Sequence, residues 1–202
     1  LNTKLAVTDY EHKEIEGDTV GTVFDNQSWQ VRADLLLAEF SGWHGAFTFD
    51  HKFSDFEAIG EEAFTPPSET TSSSIGWLAE KHFGSVLVQL GARAEYVELS
   101  PVHQESDHHD DHEEEHDEHE DEHHDEHEEV AELTKQTFKP TSLSAGLVWD
   151  FTPGYNLGLS YTRSERAPSA SEVFSFGPHI GTASFEIGAL YHAHSEDGET
   201  HF

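Results

Sequence analysis

The sequence predicts an all-β chain, an antiparallel meander of transmembrane β-barrel type with long external loops. Two observations lead there. Apolar and polar residues alternate at period two through segment after segment, and the links between segments run long and short in turn. A third observation closes the helical route through a bilayer, because no apolar run approaches the roughly 18 residues that a membrane helix needs.

The elements follow in chain order. Residues 1–14 give a weak strand. Residues 28–37 place Trp29, Val31, Ala33, Leu35 and Leu37 on one face, with Ser28, Gln30, Arg32 and Asp34 on the other. Residues 43–53 set Trp43, Gly45, Phe47 and Phe49 against His44, Thr48, Asp50 and Lys52. A weak strand at 74–81 precedes a strong one at 85–99, where Val86, Val88, Leu90, Ala92, Ala94 and Tyr96 oppose Gln89, Arg93 and Glu95. Residues 142–151 oppose Leu143, Ala145, Leu147 and Trp149 to Ser142, Ser144 and Asp150. Leu157, Leu159 and Tyr161 then alternate with Gly158 and Ser160, and residues 184–194 give a last weak strand. Such alternation marks strands with two different surroundings.

The short links are Ser41-Gly42, His82-Phe83-Gly84 and Thr152-Pro153-Gly154; the long ones are 15–27, 54–70, 99–139 and 165–182. A membrane barrel keeps tight turns on its periplasmic side and long loops outside. It is also the sheet that satisfies every backbone group in lipid. Tyr10, Trp29, Trp43, Phe53, Trp77, Tyr96, Trp149, Phe151 and Tyr161 lie near strand ends, where interfacial girdles are expected. A soluble antiparallel sheet with one wet face gives the same alternation, but has no reason to keep the loop rhythm. Asp50, Arg93 and Glu95 face the lumen in this scheme and read as a salt-bridge network. His44 and His51 fall on opposite faces, His82 reads as a turn residue, and residues 56–67 read as an external loop packed by Phe56 and Phe64.

Composition narrows the function. The formal charge is −31, and with the sixteen acids of residues 103–129 set aside, 25 Asp and Glu still face 10 Lys and Arg. Such a surface repels nucleic acid and draws cations. The absence of cysteine excludes disulfides and thiolate zinc sites, leaving His, Asp and Glu as strong ligands. With no methionine at position 1 and no signal peptide, the chain reads as a processed or excised piece.

Residues 103–129 carry nine histidines, sixteen carboxylates and no Lys or Arg. Imidazole offers a neutral nitrogen ligand near pH 7, and dense carboxylate lowers the electrostatic cost of a divalent cation. The candidate ligands are His103, His108, His109, His112, His116, His119, His123, His124 and His127. Six of them, at 109, 112, 116, 119, 123 and 127, would line one face of a helix, with Glu113, Glu115, Glu120 and Glu126 nearby. Without metal, like charges oppose that helix. Two or three histidines and a carboxylate suffice for one Zn2+, so several exchanging sites are expected rather than one cage. The bland alternative is a solvated low-complexity loop. By loop parity the whole link 99–139 is extracellular. Asp9, His12 and His179 at the barrel mouth are candidates for a tighter relay site, though each alone reads as an ordinary loop or lumen residue. His192, His194 and His201 cluster near Glu196 and Asp197.

Arg166-Ala167-Pro168-Ser169-Ala170-Ser171-Glu172-Val173-Phe174, with Gly177-Pro178-His179 and Thr182-Ala183-Ser184-Phe185-Glu186-Ile187-Gly188, resembles the late-barrel signature of TonB-dependent outer-membrane receptors. Asp9-Tyr10-Glu11-His12-Lys13-Glu14, Gly21-Thr22-Val23-Phe24-Asp25-Asn26, the run from Phe56 to Pro67, and Gly91-Ala92-Arg93-Ala94-Glu95 resemble the zinc-receptor (ZnuD-type) branch. The resemblance implies a 22-stranded barrel in the bacterial outer membrane, closed by a plug and energised by the TonB system. Zinc or a zinc complex would be the cargo and outer-membrane lipid the surrounding. The eight or so strands here would be a mid-to-late barrel portion spanning residues 1–202, with plug and TonB-contacting segment outside it. After Gly188 the family's usual Asn-Pro-type stretch is replaced by Ala189-Leu190-Tyr191.

Three rivals stand beside a zinc receptor. An enzyme would need a nucleophile elbow, and none is present. A soluble metal-buffering protein would stay monomeric without detergent. A haem or siderophore receptor would use the tract as a secondary metal sponge. The tract itself is testable alone: the peptide 103–129 should take up micromolar zinc with heat and a change in circular dichroism, weakening near pH 5 as imidazoles protonate. Silence in both measurements leaves only the solvated loop.

Overall fold

A computed structural model of the protein describes residues 1–60, 63–102, 133–179 and 183–191, and the backbone of 194–196 and 199–201. Seven long strands form one antiparallel meander in simple sequence order: β1 (Asn2–Glu16), β2 (Thr19–Leu36), β3 (Trp43–Gly60), β4 (Ser68–Phe83), β5 (Val86–Pro101), β7 (Thr141–Thr152) and β8 (Tyr155–Ser164). The short β6 (Gln136–Phe138) pairs with the upper end of β5. Helix α1 (Ala170–Phe174) and the small hairpin of β9 (Phe176–His179) and β10 (Ser184–Ile187) follow, then the two-stranded ladder of β11 (His194–Glu196) and β12 (Glu199–His201).

Directly paired residues share a face, so the register sorts the side chains without ambiguity. One face carries Val7, Trp29 and Phe53 in one cross-strand row, Phe47, Trp77, Ala92 and Leu143 in another, and Trp149 opposite Leu157 below. Much of this face lacks protein cover: Val7 is 75% exposed, Leu157 60% and Leu143 57%. The opposite face is hydrogen-bonded. Gln30 donates to Asp50 at 2.6 Å, Thr48 to Asp34 at 2.8 Å and Gln89 to Glu80 at 3.0 Å, while Arg93 pairs with Glu95 at 3.1 Å. An uncovered apolar face behind a satisfied polar one is the wall of a membrane barrel. Of the salt-bridge network expected around Asp50, Arg93 and Glu95, the Arg93–Glu95 pair forms, while Asp50 accepts from Gln30 instead.

The three short links expected from sequence lie at one end of the sheet. Ser41 and Gly42 both take positive φ, 53° and 80°, as the favoured two-residue hairpin turn requires. At the other end two expected long links are mostly strand. The hairpin β1–β2 continues to Glu16 opposite Thr19, so only Gly17-Asp18 turn where 15–27 was expected to loop. Strand β3 runs to Gly60 and β4 starts at Ser68, which shrinks the 54–70 link to 61–67. A barrel strand needs only about 9–11 residues to cross; β2 and β3 have 18 each. The excess projects beyond the bilayer, where neither face must be apolar, so the alternation that marks the membrane part fades while the ladder continues. His82 belongs to β4, opposite Leu87, and the turn falls at 84–85. Tyr10 lies on the polar face, in register with Asn26, rather than in a lipid girdle. The weak strand of 184–194 does not add to the wall. It divides into β10, a turn folded back on α1, and β11.

The wall yields a directional test. Leu147→Arg, on the apolar face near the middle of β7, should destabilise the assembled barrel by about 2–4 kcal/mol, whereas Ser144→Arg on the polar face should cost far less. Urea unfolding of the full receptor in liposomes measures both. Equal losses would mean the two faces are misassigned.

Candidate functional site

The end of the sheet away from the tight turns is where chemistry accumulates. On the apolar-face side, just beyond the row of Trp29 and Phe53, the residues turn acidic. The ladder sets Glu11 opposite Asp25, Asp25 opposite Glu57, and Asp55 opposite Glu69. Like charges directly across strands are unfavourable alone, and their sum favours cations. Asp9, opposite Gln27, belongs to this collar. His12 does not. Three positions along a strand is an odd step, so His12 points to the other face, where its ring stacks on Phe24 at 4.5 Å and 5°. Phe24 in turn neighbours Phe56. Asp9 and His12 therefore cannot chelate one ion as a local pair.

His179 sits on β9, opposite Ser184. Its Nδ1 is 3.8 Å from a Glu186 carboxylate oxygen, and its ring lies 5.3 Å from that of Phe64. The structure does not bring His179 together with Asp9 and His12 as a ligand group: among the described residues no group of three His, Asp or Glu is poised to hold a metal ion. His103, His108, His109, His112, His116, His119, His123, His124 and His127 lie outside the described residues, as does His192. The small terminal ladder sets His194 opposite His201.

What the structure does describe is the footing of the histidine tract. Its entrance is held where the Val102 N–H donates to Pro67 O at 2.8 Å. Its exit is held by β6, whose Phe138 pairs with Val97 and Gln136 with Leu99. Val97 and Leu99 are buried with Val173 and Phe174 of α1, and Leu133, Phe138 and Leu190 pack around them. Val97 shares the polar face with Glu95 and Arg93, so this small core caps the lumen side of β5 above the membrane. Fully burying a residue such as Phe174 contributes about 1.5–3 kcal/mol, which makes the cap a firm mount.

The segment 165–191 builds that cap by local rules. Ser169 caps α1, accepting from the Glu172 N–H, and the Glu172 carboxylate accepts from the Ser169 N–H at 2.8 Å. Arg166 grips the same carboxylate with both guanidinium arms, at 2.6 and 2.7 Å. Its hydrogen bonds, followed by that from the Ser169 N–H, pull the Glu172 carboxyl down to about 2. Gly188 lies so close to the helix that a Cβ there would fall 2.3 Å from Val173 O, which explains the glycine. Phe176 N–H donates to Phe64 O, and Thr65 and Ser175 hydroxyls meet at 2.8 Å in a buried contact, joining the 63–67 link to the cap. Of residues 56–67, Phe56 to Gly60 are strand, while Phe64 does serve as packing. The sequence singled out the run from Arg166 to Gly188 as a family signature but not as a cap. The Ser169-x-x-Glu172 capping box ahead of Val173-Phe174 was the available signal.

An open meander with a lipid face, a polar face, tight turns at one end and structured loops at the other defines a portion of an outer-membrane barrel. Residues 4–193 match the family "TonB dependent receptor-like, beta-barrel", and the chain belongs to it. Members are transporters of the bacterial outer membrane, working with a plug domain and the TonB system.

The cap makes a pH prediction. Because the folded Glu172 carboxyl titrates below its ordinary value, its contribution is complete above about pH 4.5 and is lost as pH falls toward 2. Glu172→Gln in the full receptor should raise amide exchange across 169–177 at pH 7 while the barrel ladder stays protected. Wild-type protein should keep that protection at pH 4. Unchanged exchange in the variant would show that the fork does not hold the cap.

Proposed function

We propose that this chain belongs to a zinc receptor, in which residues 103–129 form an external lure for Zn2+ or a zinc complex destined for TonB-energised import. The observation that carries the proposal is the combination of nine interleaved histidines with two anchored feet on the loop-bearing end of the sheet, Val102 on Pro67 and β6 on β5. A mount of this kind keeps a metal-collecting segment over the barrel mouth instead of letting it trail from a terminus. The acidic collar of Glu11, Asp25, Asp55, Glu57 and Glu69 supports it by raising the local concentration of cations. In the tract, neutral imidazoles and carboxylates would share each ion. Zinc would neutralise the carboxylates and allow a partial helix, and loose sites would exchange their ions toward the lumen.

A haem or siderophore cargo is the second possibility, favoured by the stacked His12 and Phe24 on the lumen face, a surface that suits a flat aromatic ligand.

Calorimetry on the full receptor in nanodiscs separates them. Replacing the nine tract histidines by alanine should abolish multi-site zinc uptake and slow zinc entry into cells at limiting metal, leaving iron-complex uptake unchanged. Undiminished zinc uptake by that variant would refute the lure; loss of haem or iron-complex uptake through His12→Ala alone would favour the second cargo.

A further inference from the structure

The chain leaves the cap at Tyr191, whose N–H donates to Gly188 O at 3.1 Å and whose hydroxyl donates to Phe174 O at 3.4 Å. Three residues further on, β11 and β12 form their ladder. It sets His194 opposite His201, Ser195 opposite Thr200, and Glu196 opposite Glu199. Three residues span at most about 11 Å, so the ladder starts within that reach of the core on which the histidine tract is mounted.

The register has a second, local basis. Between the paired glutamates the sequence is Asp197-Gly198, a dipeptide favoured in two-residue hairpin links. Such a link pairs its flanking residues directly, which gives Glu196 to Glu199 and then His194 to His201. Directly opposed residues, and residues two apart on one strand, share a face. His194, Glu196, Glu199 and His201 therefore fall on one face of the ladder, and Ser195 and Thr200 on the other.

No apolar residue among these six accounts for the pairing. Two strands alone are marginal in water, and like charges directly across a ladder, as at Glu196 and Glu199, oppose it. A cation on that face reverses the sign. Opposed positions have Cβ atoms about 4.5–5.5 Å apart, a spacing across which imidazole and carboxylate groups can converge on one ion. Two nitrogen and two oxygen donors are a set that zinc accepts in tetrahedral geometry, at about 2.0–2.2 Å. Calcium and magnesium are hard cations that take oxygen ligands, and imidazole does not serve them.

We propose that this face of the β11–β12 hairpin is a single-ion zinc site, with His194 and His201 supplying nitrogen and Glu196 and Glu199 oxygen, and that the ion closes the hairpin. The site is separate from residues 103–129. It has one fixed ligand set where the tract offers interchangeable ones, and it requires no particular cargo.

Hydrogen exchange of the full receptor in nanodiscs tests it, using protein whose nine tract histidines are alanine so that the tract cannot compete. Micromolar zinc should protect 194–201, and equal concentrations of calcium or magnesium should not. His194→Ala or His201→Ala should move that protection to zinc concentrations about 100-fold higher or beyond, since losing a ligand costs more than losing an outer-shell partner. Ser195→Ala and Thr200→Ala, on the opposite face, should leave it unchanged. Glu196→Gln combined with Glu199→Gln removes the like-charge pair, so it should weaken zinc protection while raising protection without metal. Heat-modifiable gel mobility confirms that the barrel is intact in each variant. Exchange across 194–201 indifferent to zinc, equal protection by calcium, or equal loss in Ser195→Ala would each overturn the site. The tract supplies no ligand in any of these proteins, so a failure here leaves the zinc-lure proposal standing.

Discussion

Inside hydrocarbon a peptide N–H or C=O that lacks a partner has no water to replace it, and each such group costs several kcal/mol. Every large feature of this chain answers to that constraint. The seven long strands pair in sequence order, β1 to β2 through β7 to β8, without a crossover, so that both neighbours of each inner strand are supplied at once. Pairing fixes which side chains share a face, and the lipid then demands that one face be apolar. The uncovered rows of Trp29 and Phe53, of Phe47 and Trp77, and of Leu147 and Leu159 are the result.

Above the bilayer the demand on side chains is lifted while the demand on the backbone persists. The ladder therefore continues, but its outward face changes from aromatic to acidic within two to four residues, from Trp29 through Gln27 to Asp25 and from Phe53 to Asp55 and Glu57. The same backbone that forms the wall thus lifts a negatively charged collar clear of the membrane, at the end where the histidine tract departs and returns. Support for that tract comes from a different kind of bonding: a small apolar core of Val97, Leu99, Val173 and Phe174, held in place by one capped helical turn and the Arg166–Glu172 fork.

Much of this was legible in the chain. Period-two alternation depends on local sequence alone, so the central parts of β2, β3, β5, β7 and β8, and the faces of Asp50, Arg93 and Glu95, could be read directly. The tight turns were visible through Ser41-Gly42 and Pro153-Gly154. The overshoot of β1 to β4 was not, because Glu14 to Asn26 and Ser68 to Ser73 carry no apolar alternation once they leave the lipid. Nor was the failure of Asp9 and His12 to converge stated, although an odd separation on a strand already implied it.

The amino-acid order by itself determined the alternating wall, its orientation relative to the tight turns, and the histidine- and acid-rich composition of residues 103–129, since each arises from neighbours along the chain. Tertiary structure alone decided which acids stand side by side in the collar and that Leu133 and Phe138 return to β5 beneath α1. Those outcomes depend on cross-strand register and on contacts between residues as distant as Thr65 and Ser175. Such contacts are set by the summed pairing of the whole sheet, a quantity that no local pattern carries.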